Sequence, residues 1–231
     1  MIASELRRGI VIRIVQILVQ FLVLGAVLLL AAGTWRWGNA WAFVGLSVLS
    51  SLGIGVYVLP RNPEVIVERG RRHGGTRRFD VVLGVVMTVT YLGVLVVAGL
   101  DAGRFGWTDL GPLVAVVGAV LVLLTSVPIA GAMAANRHLE TTVRIQAERG
   151  HETATEGPYR FVRHPMYAAM LLQMPATALL LESAWALVPA AGFVVAMVVR
   201  TALEDRMLRS DLPGYAAYAR TTRYRLVPRV W

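Results

Sequence analysis

The chain of 231 residues contains no cysteine and no lysine. The absence of cysteine excludes disulfide bonds, thiolate metal sites and a cysteine nucleophile. All 23 basic residues are arginine, which a biased codon usage explains at least as readily as function does. Charged residues are few, at 16% of the chain, whereas 56% of the residues are hydrophobic and the mean hydropathy is +0.61. This composition is too apolar for a soluble domain and predicts a membrane protein.

Six segments without a formal charge could cross a membrane. Four of them reach the roughly 20 residues that a spanning helix needs, and two shorter ones flank Glu182 and predict a helical hairpin. We therefore predict an all-α polytopic membrane bundle of about six transmembrane helices, with a C-terminal helical hairpin. Residues 1–60 would form an N-terminal transmembrane hairpin and residues 61–231 the core. The segments are residues 14–32, 37–60, 81–100, 110–136, 166–181 and 183–199.

Arginine is distributed unevenly between the two sides that six spans define. One side would carry only Arg36 and Arg104, and the other side would carry the remaining 21 of the 23 arginines together with both termini. The positive-inside rule assigns the arginine-rich side to the cytoplasm, and a bacterial plasma membrane is the expected location. The net charge of +9 does not predict a nucleic-acid partner, because the basic residues are spread between apolar runs. The polar connector 61–80, with its Gly-Arg-Arg-His-Gly-Gly run, is expected to contact solvent or anionic headgroups.

Two common types of soluble enzyme site are absent from the sequence. No Gly-x-Gly-x-x-Gly motif follows a strand, so a Rossmann-type domain is not expected. The four histidines show no close metal-ligand spacing and no His-Glu-x-x-His motif, so no metal is expected either. A cofactor site would therefore be built from the ends of membrane helices and the segments that connect them.

The two ends of the predicted hairpin carry polar residues that would meet at one membrane level. Pro165 marks a helix start with His164 at its cap, where unpaired amides and the helix dipole would stabilise a carboxylate or phosphate. Arg200 and Glu204 are four residues apart and share one face of the second helix. Asp205 lies about 100° further around that helix, so only one of the two acids is expected to face the pocket.

Residues 157–167, Gly-Pro-Tyr-Arg-Phe-Val-Arg-His-Pro-Met-Tyr, resemble the signature of the isoprenylcysteine carboxyl methyltransferase and phospholipid methyltransferase superfamily. The resemblance covers about residues 136–231, with weaker likeness at 62–64 and 104–107. The chain departs from the family pattern at Ala168-Ala169, where members often have glycine, and at Glu204-Asp205, where they have two glutamates. A second matching segment follows the hairpin: Arg200, Glu204-Asp205, Leu208, Gly214-Tyr215, Tyr218, Arg223, Val227-Pro228 and Val230-Trp231.

The resemblance implies an S-adenosylmethionine-dependent methyltransferase that acts on a lipophilic acceptor, such as a prenylcysteine carboxylate, a lipid or an isoprenoid. The bundle would then have a cytoplasmic cofactor pocket, with residues 136–231 as the cofactor-binding part of the membrane methyltransferase core 61–231. The cofactor's carboxylate could meet Arg200 or the helix amides, and its ammonium could meet Glu204. A carboxylate acceptor would need no general base, whereas an amine or hydroxyl acceptor would use Glu204 or His164. Membrane lipids would be further partners. The candidate catalytic residues are Arg200, Glu204 and His164, and the candidate cofactor-binding residues are Tyr159, Arg163, His164, Pro165, Tyr167, Glu204, Tyr215 and Tyr218.

Several of these residues also have a purely structural interpretation. His164 could only cap its helix, Arg200 and Glu204 could form an ordinary interfacial ion pair, and Arg160 and Arg163 could contact headgroups. Two other function classes stay open as well. One is an NADPH-dependent reductase of the membrane sterol reductase type, which resembles this superfamily in its C-terminal half, and the other is a non-enzymatic membrane protein.

Other polar groups have structural interpretations too. Tyr215 and Tyr218 could anchor the chain in the membrane interface. Arg13, Gln16 and Gln20 share one face of the first span, where snorkelling and interhelical hydrogen bonds are expected rather than a transport pathway.

Overall fold

The structure, a computed structural model, describes residues 3–71 and 74–231. Arg72 and His73, in the connector expected to contact solvent or headgroups, lie outside the described residues. The described residues form helices and no strands, which confirms the predicted all-α fold. The helices are α1 (Ala3–Ala32), α2 (Gly38–Val58), α3 (Pro63–Glu68), α4 (Arg78–Ala98) with its π-helical continuation Gly99–Phe105, α5 (Pro112–Ala135), α6 (Pro165–Leu180), α7 (Leu187–Asp211) and α8 (Tyr215–Thr221), with 3-10 turns at Ala147–Arg149 and Gly157–Arg160.

Five of the described helices are long and apolar enough to cross a membrane, and α6 is a shorter apolar helix. A helix satisfies its own backbone hydrogen bonds, which a spanning segment requires because the hydrocarbon core contains no water. Large apolar side chains on the outer helices are exposed, among them Leu22 on α1 and Val56 on α2. Exposure of so much apolar surface to water would be unfavourable, so these faces contact lipid. The chain is therefore a polytopic integral membrane protein.

The predicted hairpin is present, but its second helix extends beyond the apolar segment that predicted it. The turn lies at Glu182, which has a φ of 54°, and α7 continues past residue 199 to Asp211. The extension stays helical because its polar side chains find partners outside the apolar layer, such as Asp80 for Arg200. α6 packs mainly against α5, and α7 packs mainly against α4. A Cβ added at Gly118 of α5 would lie 2.2 Å from the amide nitrogen of Leu180, so glycine permits the close approach of α5 to α6.

A buried carboxylate closes the end of the bundle at which the hairpin turns. Asp101 is fully buried on the π-helix, and it accepts hydrogen bonds from the Thr108 amide (2.9 Å) and the Ser183 hydroxyl (2.6 Å). These bonds tie the continuation of α4 to the turn between α6 and α7. The predicted span ends at residue 100 because Asp101 is charged. In the structure the helix continues to Phe105, because the Asp101 carboxylate is hydrogen-bonded and can therefore be buried.

The described parts of the first connector, 59–71 and 74–77, lie with the connector 136–164 and the C-terminal segment 212–231 at the other end of the bundle, which we call the basic end. The Arg77 amide donates to the Val143 carbonyl (3.1 Å), and the Arg163 amide donates to the Tyr224 carbonyl (2.9 Å). The beginning of α1 is also there, because the Gln16 side chain donates to the Gly70 carbonyl. The basic end therefore brings the predicted site segments together. The division into an N-terminal hairpin and a core stays a prediction.

Candidate functional site

A cavity opens at the basic end between the connector 136–164, the start of α6, the end of α7 and α8. It contains about 720 Å³ of space not filled by atoms, including its open mouth. All of the predicted cofactor-binding residues line it, whereas Arg200 does not. The lining residues predicted from sequence are Tyr159, Arg163, His164, Pro165, Tyr167, Glu204, Tyr215 and Tyr218.

The two ends of the hairpin meet directly in this cavity. The Tyr167 hydroxyl, in the first turn of α6, donates a 2.7 Å hydrogen bond to Oε2 of Glu204, near the end of α7. Within the described part of the chain, Oε1 of Glu204 accepts no hydrogen bond. A carboxylate oxygen at a cavity wall can accept a charged donor from a ligand.

Asp205, the neighbouring acid, faces away from the cavity, as the helical spacing predicts. It is fully buried and neutralised by arginine. Its Oδ1 accepts from Nε of Arg163 (2.7 Å) and from the Tyr215 hydroxyl (3.0 Å). Its Oδ2 accepts from Arg209 (3.1 Å) and Arg225 (3.0 Å). Asp205 is therefore the centre of an ion network that holds one wall of the cavity in place.

Arg163 belongs to this same network, although it also lines the cavity. Its guanidinium is buried, with Nε and Nη2 on Asp205 and Nη1 on the carbonyl oxygens of Thr222 (2.8 Å) and Arg223 (2.7 Å). This burial does not fit the headgroup interpretation of Arg163. Arg160 is exposed and does not line the cavity.

His164 occupies the N-cap position of α6, but its side chain makes no capping hydrogen bond. The imidazole instead stacks on the Tyr167 ring, with ring centroids 5.6 Å apart and an interplanar angle of 6°. Its Nε2 lies 3.3 Å from the Tyr215 hydroxyl and 3.6 Å from Oδ1 of Asp205. The ring therefore forms part of the cavity wall and does not only terminate the helix.

Three tyrosines outside the spanning helices present neutral hydroxyl groups around the cavity. Burial raises the pKa of Tyr218 to about 12, and its hydroxyl donates to the Tyr159 carbonyl (2.7 Å). Burial also raises the pKa of Tyr159, and burial together with the nearby Asp205 carboxylate raises that of Tyr215. These phenols stay protonated at neutral pH and act as hydrogen-bond donors or stacking surfaces.

Arg200 pairs with Asp80 and not with Glu204. Its Nε donates to Oδ1 of Asp80 (2.7 Å), its Nη2 donates to the Thr141 carbonyl (2.9 Å), and its Cζ lies 5.1 Å from the Tyr167 ring centroid. Asp80 also accepts from the Val143 amide (2.8 Å), so the pair ties α4 and α7 to the connector 136–164. The sequence gives no local signal for this contact because the two residues are far apart along the chain.

The connector 136–164 lies in the part predicted to bind the cofactor, but its lining residues before Tyr159 were not predicted individually. The rings of His138 and His151 lie 4.6 Å apart, and the Gln146 side chain donates to the His138 carbonyl (2.7 Å). Burial, followed by the nearby His138, lowers the pKa of His151 to about 4, so this ring is neutral at pH 7. Asn136 donates to the Tyr159 hydroxyl (3.2 Å) from the same segment. Only the closeness of this polar segment to residues 157–167 could have indicated these residues.

The fold and the cavity define a polytopic helical membrane protein with a polar, aromatic site at one end of its bundle. Residues 113–212 match the family model described as phospholipid methyltransferase. This range runs from α5 through the connector and α6 to the end of α7. The match confirms, for this part of the chain, the resemblance to the isoprenylcysteine and phospholipid methyltransferase superfamily.

The chain is also similar to the cobalt-zinc-cadmium resistance protein CzcN of Cupriavidus metallidurans. The two are 33% identical over 132 residues, which cover 55% of this chain and 56% of that protein. The similarity therefore spans little more than half the length of this relative. No group of three or more His, Asp or Glu side chains within residues 3–71 and 74–231 could hold a metal ion.

Proposed function

We propose that the chain is an S-adenosylmethionine-dependent methyltransferase that methylates a lipophilic acceptor, with the basic end of its bundle in the cytoplasm. The family match supports methyl transfer. The observation that carries the proposal is the meeting of Tyr167 and Glu204 in one cavity with the predicted cofactor-binding residues.

The residues of the cavity suit a zwitterionic cofactor that has an aromatic base. Oε1 of Glu204 is available to accept an ammonium group. The first amides of α6 after Pro165 have no partner within the helix, and the helix dipole favours a carboxylate there. The stacked rings of His164 and Tyr167 offer an apolar surface with polar edges for an adenosine group. S-adenosylmethionine would supply a methyl group activated by a sulfonium centre.

The chain's own residues would act by positioning and by excluding water. Methyl transfer needs an in-line approach of the acceptor atom, so fixed geometry can lower much of the barrier. The Tyr167–Glu204 hydrogen bond sets the distance between α6 and α7, and the Asp205 network holds the C-terminal segment against the cavity. Arg200 has a positioning role in this proposal, because it fixes the Tyr167 ring and the connector.

Any proton chemistry depends on the acceptor. A carboxylate acceptor needs no base. An amine or hydroxyl acceptor would transfer its proton to Glu204 or to His164, which both line the cavity.

A second cavity could hold the acceptor beside this site. It lies at membrane depth between α1, α2, α5 and α6 and contains about 1510 Å³ of unfilled space, including its open part. Met166 lines both cavities, so only this part of α6 separates them there. A lipophilic acceptor in this second cavity would therefore lie next to the cofactor site, with Met166 between the two.

Isothermal titration calorimetry of the purified chain in a neutral detergent tests the proposal. We expect saturable binding of S-adenosylmethionine and none of NADPH. Preferential NADPH binding would indicate the reductase alternative, and no binding of either ligand at millimolar concentration would favour a non-enzymatic protein. Incubating membranes with radiolabelled S-adenosylmethionine would then identify the labelled product.

A further inference from the structure

Two guanidinium groups line the cavity at membrane depth and have no acidic partner among the residues that the structure describes. Arg69, at the end of α3, donates to the carbonyl oxygens of Leu139 (3.4 Å) and Glu140 (3.2 Å), and Arg13, on α1, donates to the Gln16 side chain (3.4 Å). Neither arginine forms an ion pair with a carboxylate in the described parts of the chain. This differs from Arg163 and Arg200, which are paired with Asp205 and Asp80.

Two other cations, Arg13 and Arg200, act electrostatically on Arg69, and the second of them is paired with Asp80. Burial, followed by the nearby Arg13 and Arg200, lowers the pKa of Arg69 to about 10. A cation in a low-dielectric setting is costly when no counter-charge compensates it, and cations inside membrane proteins usually face a partner or a ligand. This part of the cavity therefore attracts an anion.

The remainder of the cavity suits an apolar chain. Methionine is flexible and polarisable, so it adapts to chains of different shapes. The lining also contains one polar group, the buried hydroxyl of Ser50, which has no hydrogen-bond partner among the described residues. The apolar side chains that line the cavity include Met133, Met166, Met170, Met174, Phe21 and Phe43.

We propose that Arg69 and Arg13 bind the anionic headgroup, a carboxylate or a phosphate, of an amphiphile whose apolar chain lies among the methionines of this cavity. Arg69 lies close enough to Tyr159 and Tyr167 to interact with them electrostatically, and both tyrosines line the cofactor cavity. The headgroup would thus lie beside the wall that the two cavities share. That the amphiphile is the methyl acceptor rests on the proposed function, whereas its binding does not.

Photolabelling tests this proposal with the full chain in a neutral detergent. The probes are a diazirine-bearing fatty acid, its methyl ester and an alkyl phosphate with the same chain, and intact-mass spectrometry measures the labelled fraction. We expect the two anions to label residues of the cavity saturably, with an apparent affinity about tenfold or more above that of the ester, because a charge-assisted contact contributes on this scale. Equal labelling by acid, phosphate and ester would overturn the proposal.

Variants show whether Arg13 and Arg69 bind the anion or only support the structure. In an Arg13→Gln/Arg69→Gln double variant, the preference for the anions over the ester should disappear while ester labelling persists. Arg69→Lys should keep most of the preference because it keeps the charge. Arg61→Gln is the matched control, because Arg61 lies on the same connector, is exposed and does not line this cavity. If the double variant folds and keeps the preference, the assignment is wrong.

Calorimetry with S-adenosylmethionine on the same samples distinguishes this inference from the proposed function. A chain that shows the anion preference but binds no S-adenosylmethionine supports the amphiphile site and refutes the methyltransferase proposal. A chain that binds S-adenosylmethionine without any anion preference refutes the amphiphile site alone.

Discussion

At the scale of single residues, the two adjacent acids of α7 have different tasks. Glu204 faces the cavity with one oxygen on Tyr167, whereas Asp205 is fully buried among arginines. The sequence predicts this difference from the 100° step between neighbouring helix positions. It does not predict the partners of Asp205, because Arg163 and Arg225 reach it from distant parts of the chain.

Substituting these two acids should therefore affect different properties. Glu204→Gln keeps the shape and an acceptor for Tyr167 but removes the charge, so we expect S-adenosylmethionine affinity to fall about tenfold with little change in Tm. Asp205→Asn leaves Arg163 buried without its counter-charge, and breaking a buried pair costs about 3–5 kcal/mol. Calorimetry and thermal unfolding in detergent measure the two effects. If Glu204→Gln left the affinity unchanged, the ammonium contact would have to be assigned elsewhere.

Tyr167 connects Glu204, His164 and Arg200. Tyr167→Phe keeps the ring stacked on His164 and under Arg200 but removes the hydroxyl that bonds to Glu204. Because this hydrogen bond is intramolecular, we expect its loss to cost about 1 kcal/mol of stability, seen as a lower Tm, and to weaken S-adenosylmethionine binding because Glu204 is no longer held in position. The control is Tyr91→Phe, which changes a tyrosine that does not line the cofactor cavity and should leave the affinity unaltered.

At the scale of secondary-structure elements, charge-free runs predict the spanning helices well but not their ends. Asp101 and Arg200 interrupt the apolar sequence, yet both lie within continuous helix. Their partners come from other elements, with Ser183 and Thr108 bonded to Asp101, and Asp80 bonded to Arg200. A single sequence does not reveal such long-range pairs. A charged residue that has a partner in the fold is therefore mistaken, in the sequence, for the end of a spanning helix.

The Asp80–Arg200 pair predicts a measurable coupling between α4 and α7. Either single substitution, Asp80→Asn or Arg200→Gln, leaves the partner without its ion pair and should lower Tm. The double variant should be more stable than the sum of the single effects implies, with a coupling energy of about 0.5–3 kcal/mol. Additive losses of stability would show that the pair does not act as a tether. If Arg200→Gln weakened S-adenosylmethionine binding only in proportion to its loss of stability, Arg200 would have a purely structural role.

The connector 136–164 should make stability depend on pH through His151. Its folded pKa of about 4 lies below the ordinary value of 6.5, because burial and the nearby His138 disfavour the charged ring. The stabilisation is therefore fully present above pH 6.5 and is lost as pH falls toward 4, because the unfolded chain takes up the proton first. Arg144 and Arg149 also oppose protonation, whereas Glu140 favours it. A His151→Asn variant should show a smaller decrease in Tm between pH 7 and pH 4.5, and identical slopes would contradict this account.

At the scale of the whole molecule, the proposed function requires the basic end to face the cytoplasm. Segments 59–71, 74–77, 136–164 and 212–231 all lie at this end, and they contain more than half of the arginines. By the positive-inside rule we expect this end and its cavity to face the cytoplasm, where the proposed soluble cofactor would be available. The opposite orientation would leave the cavity without its proposed ligand.

The absence of cysteine makes this orientation directly testable, because any introduced cysteine is the only thiol in the chain. Gly38→Cys places a thiol at the end opposite the basic end, at an exposed position where a Cβ meets no atom within 4 Å. Ala216→Cys places one on an exposed position of α8 at the basic end. A membrane-impermeant maleimide added to intact cells should label only Gly38→Cys, and permeabilised cells should label both. Labelling of Ala216→Cys in intact cells would place the cavity outside and refute the cytoplasmic methyltransferase, whatever ligands the purified chain binds.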